Sequence, residues 1–227
     1  MNANIIGNGI YSLSEAARYL QLSTRQLSYW FKPRKGESKS LLDSDYASVV
    51  EIDNRFISFL DMVQALGVSW LRKNGVSLQS IRKVYPRLKT HLATSHPFSH
   101  NHLLTDGYRI FIQTGEEVGD GALIELMRGI DQHIMAEIME PYLKRMDFDS
   151  SSNLANRWNL SDGIIIDPSR HFGKPIVAAC GISAEILARA YFANGQDFDA
   201  TADWYGVCPQ DVETACLFYR QYYKIAA

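Results

Sequence analysis

Residues 12–32 read Ser-Leu-Ser-Glu-Ala-Ala-Arg-Tyr-Leu-Gln-Leu-Ser-Thr-Arg-Gln-Leu-Ser-Tyr-Trp-Phe-Lys, and this stretch decides the fold of the N-terminal part. Four of its apolar residues recur with the 3.6-residue period of a helix that is buried along one side, namely Leu13, Ala16, Ala17 and Leu20. Ser12 and Glu15 stand three residues apart, as in a capping box, and predict where this helix begins. Residues 21–23 predict a turn, in which Ser23 is the N-cap of a second helix.

The second helix has two faces of different chemistry. Its apolar residues Leu27, Trp30 and Phe31 are predicted to point inward, and its polar and aromatic residues point outward. Outward side chains of these types contact base edges and phosphates when a helix lies in the major groove of DNA. The candidate base contacts are Arg25, Gln26 and Tyr29, and the candidate phosphate contacts are Thr24, Lys32, Lys35 and Arg55. The alternative is a helical hairpin of an ordinary core, in which the cations form a solvated face.

The residues that follow predict a wing and two further helices. The alternating run 49–57 predicts a short hairpin that turns at Asp53-Asn54. A longer helix is predicted from Phe59 to Asn74-Gly75, because glycine favours the backbone conformation that ends a helix. Ser77 then predicts the start of a helix that continues until Pro86.

The order of these elements resembles a known family of DNA-binding proteins. Helix, turn, helix, wing, helix and helix follow one another, and the strings Leu27–Trp30 and Asn74–Ile81 add to the likeness. Over roughly its first 90 residues the chain resembles the winged helix-turn-helix of the MerR-like family. This resemblance implies that the N-terminal part binds DNA.

Charge is distributed unevenly along the chain. Up to residue 95 there are 13 Lys/Arg against 7 Asp/Glu (+6), and from residue 96 there are 10 against 18 (−8). A basic first part suits contacts to phosphates, and an acidic remainder suits a protein partner better than DNA. No run of 18 apolar residues and no signal peptide is recognisable, so we expect a cytoplasmic protein that does not span a membrane.

The middle of the chain predicts a small sheet and a connecting helix. Asp106-Gly107 between apolar runs predicts a β-hairpin. A helix up to about Met146 is predicted to bridge to the C-terminal part or to pair with its copy in a homodimer, and it carries on one face Ile130, Ile134, Ile138 and Tyr142, with Met135 and Met139 beside them. Residues 149–153 predict a polar linker.

The sequence gives little reason to expect a metal site or a cofactor. His96, His100 and His102 lie close together, but they have no cysteine or carboxylate nearby at ligand spacing, and we therefore expect no metal site there. The three cysteines have no C-x-x-C spacing. Since there is also no Gly-rich phosphate loop and no paired Cys/His arrangement, we expect neither a cofactor nor enzymatic activity.

The C-terminal part predicts a short apolar run at residues 163–168 and three helices at about 183–194, 199–205 and 209–223. Its residues Ile166-Asp167-Pro168 and Gly173-Lys174-Pro175-Ile176, with Asn194-Gly195 further on, resemble the domain-of-unknown-function family 433, which contains antitoxin-like proteins. The chain departs from that pattern at residues 178–183, where the two arginines that the family usually carries are missing. The alternative is a small helical dimerisation domain without a toxin partner.

Together the two resemblances imply the antitoxin of a VapBC-like toxin–antitoxin pair, whose toxin is a PIN-like ribonuclease. The N-terminal part would then bind the promoter of its own operon as a dimer, and the C-terminal part would cover the metal-dependent active site of the toxin. Candidate toxin contacts are Arg170, Lys174, Arg189 and Arg220, because Arg and Lys form charge-assisted hydrogen bonds with carboxylates. The alternative is a one-component transcriptional regulator in which residues 96–227 bind a small effector.

The sequence therefore predicts a mainly α-helical protein with small β elements in three parts. Residues 1–95 form a winged helix-turn-helix DNA-binding domain, and residues 96–150 form a β-hairpin region with a linking or dimerisation helix. Residues 151–227 form a C-terminal antitoxin-like domain that itself resembles a helix-turn-helix.

Overall fold

The computed structural model describes residues 7–33, 40–47, 56–130, 141 and 144–223. The chain is mainly helical with small antiparallel sheets, as the sequence predicts. It divides into two compact units, the first comprising Tyr11–Asn156 and the second comprising the residues from Arg157 onward together with the segment that ends at Ile10. The expected boundary between residues 95 and 96 falls inside the first unit, and the one between 150 and 151 falls shortly before the division at Asn156.

The first unit contains most of the helices. Its short strands are β1 (Tyr11–Ser12), β2 (Phe56–Ile57) and β3 (Met146–Phe148), and β4 (Ala155–Ser161) begins in it. Its described helices are α1 (Leu13–Tyr19), α2 (Thr24–Phe31), α3 (Phe59–Lys73), α4 (Leu78–His91), α5 (His102–Val118) and α6 (Gly121–Ile130).

Helices α1 and α2 follow one another across a tight turn, as the sequence predicts. The Ser12 side chain accepts a hydrogen bond from the Glu15 amide at 3.2 Å and caps α1. Only this half of the predicted capping box forms, because the Glu15 carboxylate accepts a hydrogen bond from the Tyr19 hydroxyl. In the turn, Gln21 adopts a left-handed backbone with φ of 53°. This conformation is uncommon for a residue other than glycine, and it reverses the chain between the two helices.

Strands β1 and β2 pair in antiparallel fashion, with Tyr11 opposite Ile57 and Ser12 opposite Phe56. The end of the predicted wing, Phe56–Ile57, is therefore a strand that pairs with the residues just before α1. The turn expected at Asp53-Asn54 lies outside the described residues.

Helix α3 ends at Asn74-Gly75 as predicted, but α4 does not end at Pro86. The predicted stop at Pro86 is wrong, since α4 continues through this residue to His91. Proline removes one intrahelical hydrogen bond and disfavours the helix interior. The last turns nevertheless form because Tyr85 and Leu88 are buried in the core, with Leu88 fully inaccessible.

The β-hairpin predicted at Asp106-Gly107 is also wrong, because these residues lie within helix α5. Ile110 and Phe111 are buried at helical spacing, and this apolar face outweighs the local turn preference of Asp-Gly. A Cβ atom added at Gly115 would lie 2.9 Å from the Ile124 side chain, so this glycine allows α5 and α6 to pack closely. The helix predicted over residues 130–146 lies largely outside the described residues.

A buried charged cluster connects residues 40–47 to the start of α3. The Nε2 atom of His96 lies 3.1 Å from Oδ1 of Asp45 and 3.4 Å from Oδ1 of Asp61. Burial opposes the charged imidazolium, but hydrogen bonding to Asp45 and the charges of both carboxylates outweigh burial and raise the pKa of His96 to about 9. Asp61 is fully buried, and burial raises its pKa above the ordinary value.

The second unit combines a small sheet with three helices. Strand β4 continues into it and pairs with β5 (Ile164–Ile166), which pairs with β6 (Ile176–Val177), and both pairs are antiparallel. Helices α7 (Ala184–Ala193), α8 (Phe198–Tyr205) and α9 (Pro209–Tyr223) follow, close to the predicted ranges. Their shared core contains Ala188, Tyr191, Ala202, Val212, Cys216 and Tyr219.

Two local predictions, one near the end of the first unit and one in the second, differ in detail from the structure. The helix predicted at about residues 199–205 begins at Phe198, and its N-cap is Asp197, because the Asp197 carboxylate accepts a hydrogen bond from the Ala200 amide at 3.0 Å. Residues 149–153, predicted as a polar linker, form the turn between β3 and β4. The Asp149 carboxylate accepts hydrogen bonds from the Ser151 and Ser152 amides, and these bonds hold the turn.

None of the helices in the described ranges combines the length and the apolar character needed to cross a membrane.

Candidate functional site: the α2 face and its groove

The exposed face of α2 is held in place from both ends of the helix. At the first turn, the Ser23 side chain accepts a hydrogen bond from the Gln26 amide, and the Gln26 side chain accepts one from the Ser23 amide, both at 3.2 Å. At the last turn, Leu27, Trp30 and Phe31 are buried as predicted. The capping box and this apolar side fix which residues α2 presents outward.

The outward side of α2 carries the side chains that the sequence predicts for it. Thr24, Arg25, Gln26 and Lys32 are exposed, and Tyr29 is half-buried. The Gln26 side-chain oxygen is engaged in the capping box, so the side-chain amide nitrogen is the group left to face a ligand. Lys35 and Arg55 lie outside the described residues.

A groove of about 540 Å³ runs beside α2 within the first unit. It is lined by residues of α2, of the second half of α3 and of the start of α4, among them Arg25, Gln26, Tyr29, Ser69, Arg72 and Lys73. The structure thus brings the three candidate base contacts together on one concave surface. It does not place Thr24 or Lys32 among the lining residues, although both are exposed on the same helix.

The groove is electropositive. Three of its lining residues, Arg25, Arg72 and Lys73, are cationic, and none of the lining residues is acidic. Arg72 is held in position because its guanidinium donates a hydrogen bond to the Val76 carbonyl at 2.8 Å. Within the described residues, the Arg25 and Lys73 side chains form no hydrogen bond or ion pair. A concave basic surface of this kind attracts an anionic ligand such as a phosphate backbone.

Sequence reasoning missed Arg72 and Lys73. Both lie in the last turn of α3, directly before the Asn74-Gly75 stop. Cations at this position also interact favourably with the helix dipole, so a structural role explains them equally well in the sequence alone. Only the packing of α3 beside α2 shows that they share the groove with Arg25.

The candidate toxin contacts all lie in the second unit, but their surroundings differ. Arg189 on α7 is exposed and pairs with Glu185 at 2.7 Å. Arg220 on α9 stacks over the Phe192 ring at 5.8 Å, and its buried Nε atom has no hydrogen-bond partner among the described residues. Arg170 is exposed, with its guanidinium over Gly181, and Lys174 is half-buried.

Exposed apolar side chains are a further feature of the second unit. Among the described residues, the large apolar side chains that are most exposed are Trp204 at 75%, Phe172 at 65% and Leu217 at 59%. Ile186 and Tyr205 are exposed as well, and all five residues belong to the second unit. Aromatic residues at a surface are enriched where proteins bind other proteins.

Comparison with known proteins finds a similar fold among solved structures. No protein-family model matches the chain, and no curated protein matches it. Among solved structures, the chain is similar to the X-ray crystal structure of Rv2018 from Mycobacterium tuberculosis, with 26% sequence identity and a TM-score of 0.68. The likeness covers 90% of this chain and 95% of that chain, so both proteins share nearly the whole fold.

Proposed function

We propose that this chain is a DNA-binding antitoxin, in which the first unit binds the promoter of its own operon and the second unit binds a ribonuclease toxin. The observation that carries the proposal is the exposed, capped face of α2, which presents Arg25, Gln26 and Tyr29 beside a basic groove. Helices that read DNA place side chains of these types against base edges in the major groove. The chain acts as a homodimer, and each protomer reads one half-site.

The groove divides the DNA contacts into two classes. Arg25, Tyr29 and the side-chain amide nitrogen of Gln26 project from α2 and contact base edges. Arg72 and Lys73, at the end of α3, contact the phosphates that flank the reading helix. Thr24 and Lys32 are exposed at the two ends of α2 and contact phosphates as well. Base contacts specify sequence, whereas phosphate contacts position the protein and make its affinity dependent on salt.

The toxin surface belongs to the second unit. The exposed side chains of Trp204, Phe172 and Leu217 supply apolar contacts, and Arg189 and Arg170 supply charge toward acidic groups of the partner. Exposed tryptophan is a side chain that commonly carries much of the binding energy in an interface. The two arginines that family 433, which this part resembles, usually carries are missing at residues 178–183, so in this proposal the charged contacts come from other positions.

Co-expression with the product of the adjacent reading frame tests the proposal. We expect a stable complex that suppresses RNA cleavage by the partner, and we expect Trp204→Ala to release the partner and to restore cleavage. Gln221→Ala is the control, because Gln221 is an exposed polar residue of the same unit. A chain that purifies alone as a DNA-binding dimer, with no partner bound, would contradict the antitoxin role and support the ligand-responsive regulator instead.

A further inference from the structure

The first unit gathers three potential metal ligands that are distant in the sequence. Asp45 lies in the segment that follows α2, Asp61 lies in the first turn of α3, and His96 precedes the short 3-10 helix Pro97–Ser99. Each offers one ligand atom, and these three atoms lie within 4.8 Å of one another. One imidazole and two carboxylates form a donor set that suits divalent ions of the zinc class.

One carboxylate oxygen of the cluster lacks a hydrogen bond. Asp61 is completely buried, and its Oδ1 atom accepts no hydrogen bond although it points at His96. The single Nε2 proton of His96 faces two carboxylates, with Asp45 at 3.1 Å and Asp61 at 3.4 Å, and it bonds well to only one of them. Beside the ion pair with His96, this buried carboxylate oxygen accepts no hydrogen bond, and a bound cation would satisfy it more fully.

Two of the three separations between the ligand atoms also match the spacing of ligands around a metal. With metal–ligand bonds of about 2.0–2.1 Å, two ligands of a tetrahedral zinc ion lie about 3.3 Å apart. The two nitrogen–oxygen separations of the cluster, 3.1 and 3.4 Å, bracket this value. We propose that Asp45 Oδ1, Asp61 Oδ1 and His96 Nε2 bind one divalent ion of the zinc class, with water as the fourth ligand. The ion takes the place of the Nε2 proton of His96, which is released to solvent.

Surrounding hydrogen bonds already orient the three ligands. The other oxygen of Asp61, Oδ2, accepts hydrogen bonds from the Ser44 hydroxyl, the Asp45 amide and the Ser58 amide at 3.0–3.1 Å. The second ring nitrogen of His96 lies 3.0 Å from the Ser95 hydroxyl. Metal-binding carboxylates and histidines are typically held by such outer contacts, which leave one oxygen or nitrogen directed at the ion.

The position of the site indicates a structural role next to α2. The Leu42 amide donates a hydrogen bond to the Trp30 carbonyl at 2.9 Å, so the segment that carries Asp45 is attached to the end of α2. A metal ion would join this segment to α3 and to the residues before Pro97. Asp45 is the accessible ligand, with 30% of its side chain exposed, and therefore leaves a route for water and for the ion.

Zinc binding by the purified full-length chain tests the proposal. The chain is dialysed against a chelator, the chelator is removed, and ZnCl2 is titrated by isothermal calorimetry. We expect about one ion per chain and a rise in Tm of about 5–10 °C at zinc concentrations 100 times the dissociation constant. We expect Asp45→Asn and His96→Gln each to weaken zinc binding more than about tenfold. Asp43→Asn and His102→Gln serve as matched controls and should bind zinc like the wild type, because neither residue belongs to the cluster.

A wild-type chain that binds no zinc would show that the cluster is only an ion pair and would overturn the proposal. The proposal would also be overturned if Asp45→Asn bound zinc as tightly as the wild type. The same holds if the two control variants lost as much zinc affinity as the cluster variants. If the His96→Gln variant does not fold, X-ray absorption spectroscopy of the zinc-loaded wild type tests the ligand set instead. We expect a single imidazole with oxygen ligands, and sulfur ligands or several imidazoles would contradict the site. None of these readouts depends on DNA or toxin binding.

Discussion

Replacing Arg25 with alanine is expected to weaken binding to the preferred DNA sequence by about 5- to 150-fold. Arg25 is exposed on α2, lines the groove and forms no ion pair within the described residues, so the substitution leaves the fold intact. Loss of an arginine that reads a base costs about 1–3 kcal/mol, which corresponds to this factor. On DNA of shuffled sequence the same substitution should change the affinity much less, because no base contact is lost there.

The dependence of affinity on salt separates a base contact from a phosphate contact. If all three groove cations contact phosphates, together they contribute about −2.7 per chain to the slope of the logarithm of the binding constant against the logarithm of salt concentration, in addition to the contribution of Lys32. If Arg25 reads a base while Arg72 and Lys73 contact phosphates, the groove cations contribute about −1.8 instead. In the second case, Arg25→Ala lowers the affinity but leaves the slope unchanged.

Fluorescence anisotropy with DNA from upstream of the chain's own gene, at salt concentrations of about 50–200 mM, measures both quantities. Arg128→Ala is the matched control, because it removes an exposed cation from α6 outside the groove. If Arg25→Ala behaves like Arg128→Ala, or loses the same affinity on shuffled DNA, α2 is not the reading helix.

Three further outcomes are expected. Lys73→Ala should weaken binding to all DNA sequences alike and reduce the slope of affinity against salt concentration by about 0.9 per chain. An unchanged slope in the anisotropy assay would show that Lys73 does not contact a phosphate. Leu27→Ala should lower the free energy of unfolding by about 2–5 kcal/mol, because Leu27 is fully buried; a loss below about 1 kcal/mol in urea unfolding would contradict its place in the core. Hydrogen bonds from Ser151 and Ser152 lower the pKa of Asp149 to about 2, below the ordinary value of 3.8. The stabilisation by the Asp149 carboxylate is therefore present above about pH 4 and is lost as the pH falls toward 2. The difference in the free energy of unfolding between wild type and Asp149→Ala should shrink over that range. Urea unfolding at several pH values measures this difference, and a constant difference would contradict the prediction.

The helices that were predicted well are those whose ends are specified locally. Ser23, Ser58 and Ser77 each cap a helix with a side chain that accepts a hydrogen bond from an amide three residues later. Gly206 has a φ of 63° and ends α8 as predicted. In these cases the residue that ends the helix and the residues that it contacts are neighbours in the sequence, so a short pattern contains the whole interaction.

The errors arose where contacts distant in the sequence outweigh local preference. Asp106-Gly107 favours a turn by itself, yet it lies in α5 because the buried face of that helix packs against the rest of the unit. Pro86 disfavours a helix, but the burial of Leu88 keeps α4 intact beyond it. Neither helix can be predicted from a few neighbouring residues, because both depend on the side chains that pack against them in the core.

For the candidate sites too, the sequence predicts only those features that do not depend on contacts between distant residues. The α2 face was predictable because Arg25, Gln26 and Tyr29 belong to one helix whose apolar side is recognisable. The contribution of Lys73 to the groove was not, because it depends on how α3 packs beside α2. In the sequence His96 has no carboxylate nearby at ligand spacing, whereas the fold brings Asp45 and Asp61 to it from positions 51 and 35 residues earlier.

Footprinting of DNA upstream of the chain's own gene tests the central claim most directly. The purified chain is added at a salt concentration of about 200 mM, at which non-specific binding is weak. We expect two protected half-sites whose centres lie about 10 base pairs, or a multiple of that distance, apart, because a dimer places two copies of α2 in successive major grooves. We also expect the protection to disappear with Arg25→Ala and to persist with Arg128→Ala. Absence of protection with the wild-type chain, or equal protection with Arg25→Ala, would contradict the assignment of α2 as the DNA-reading element.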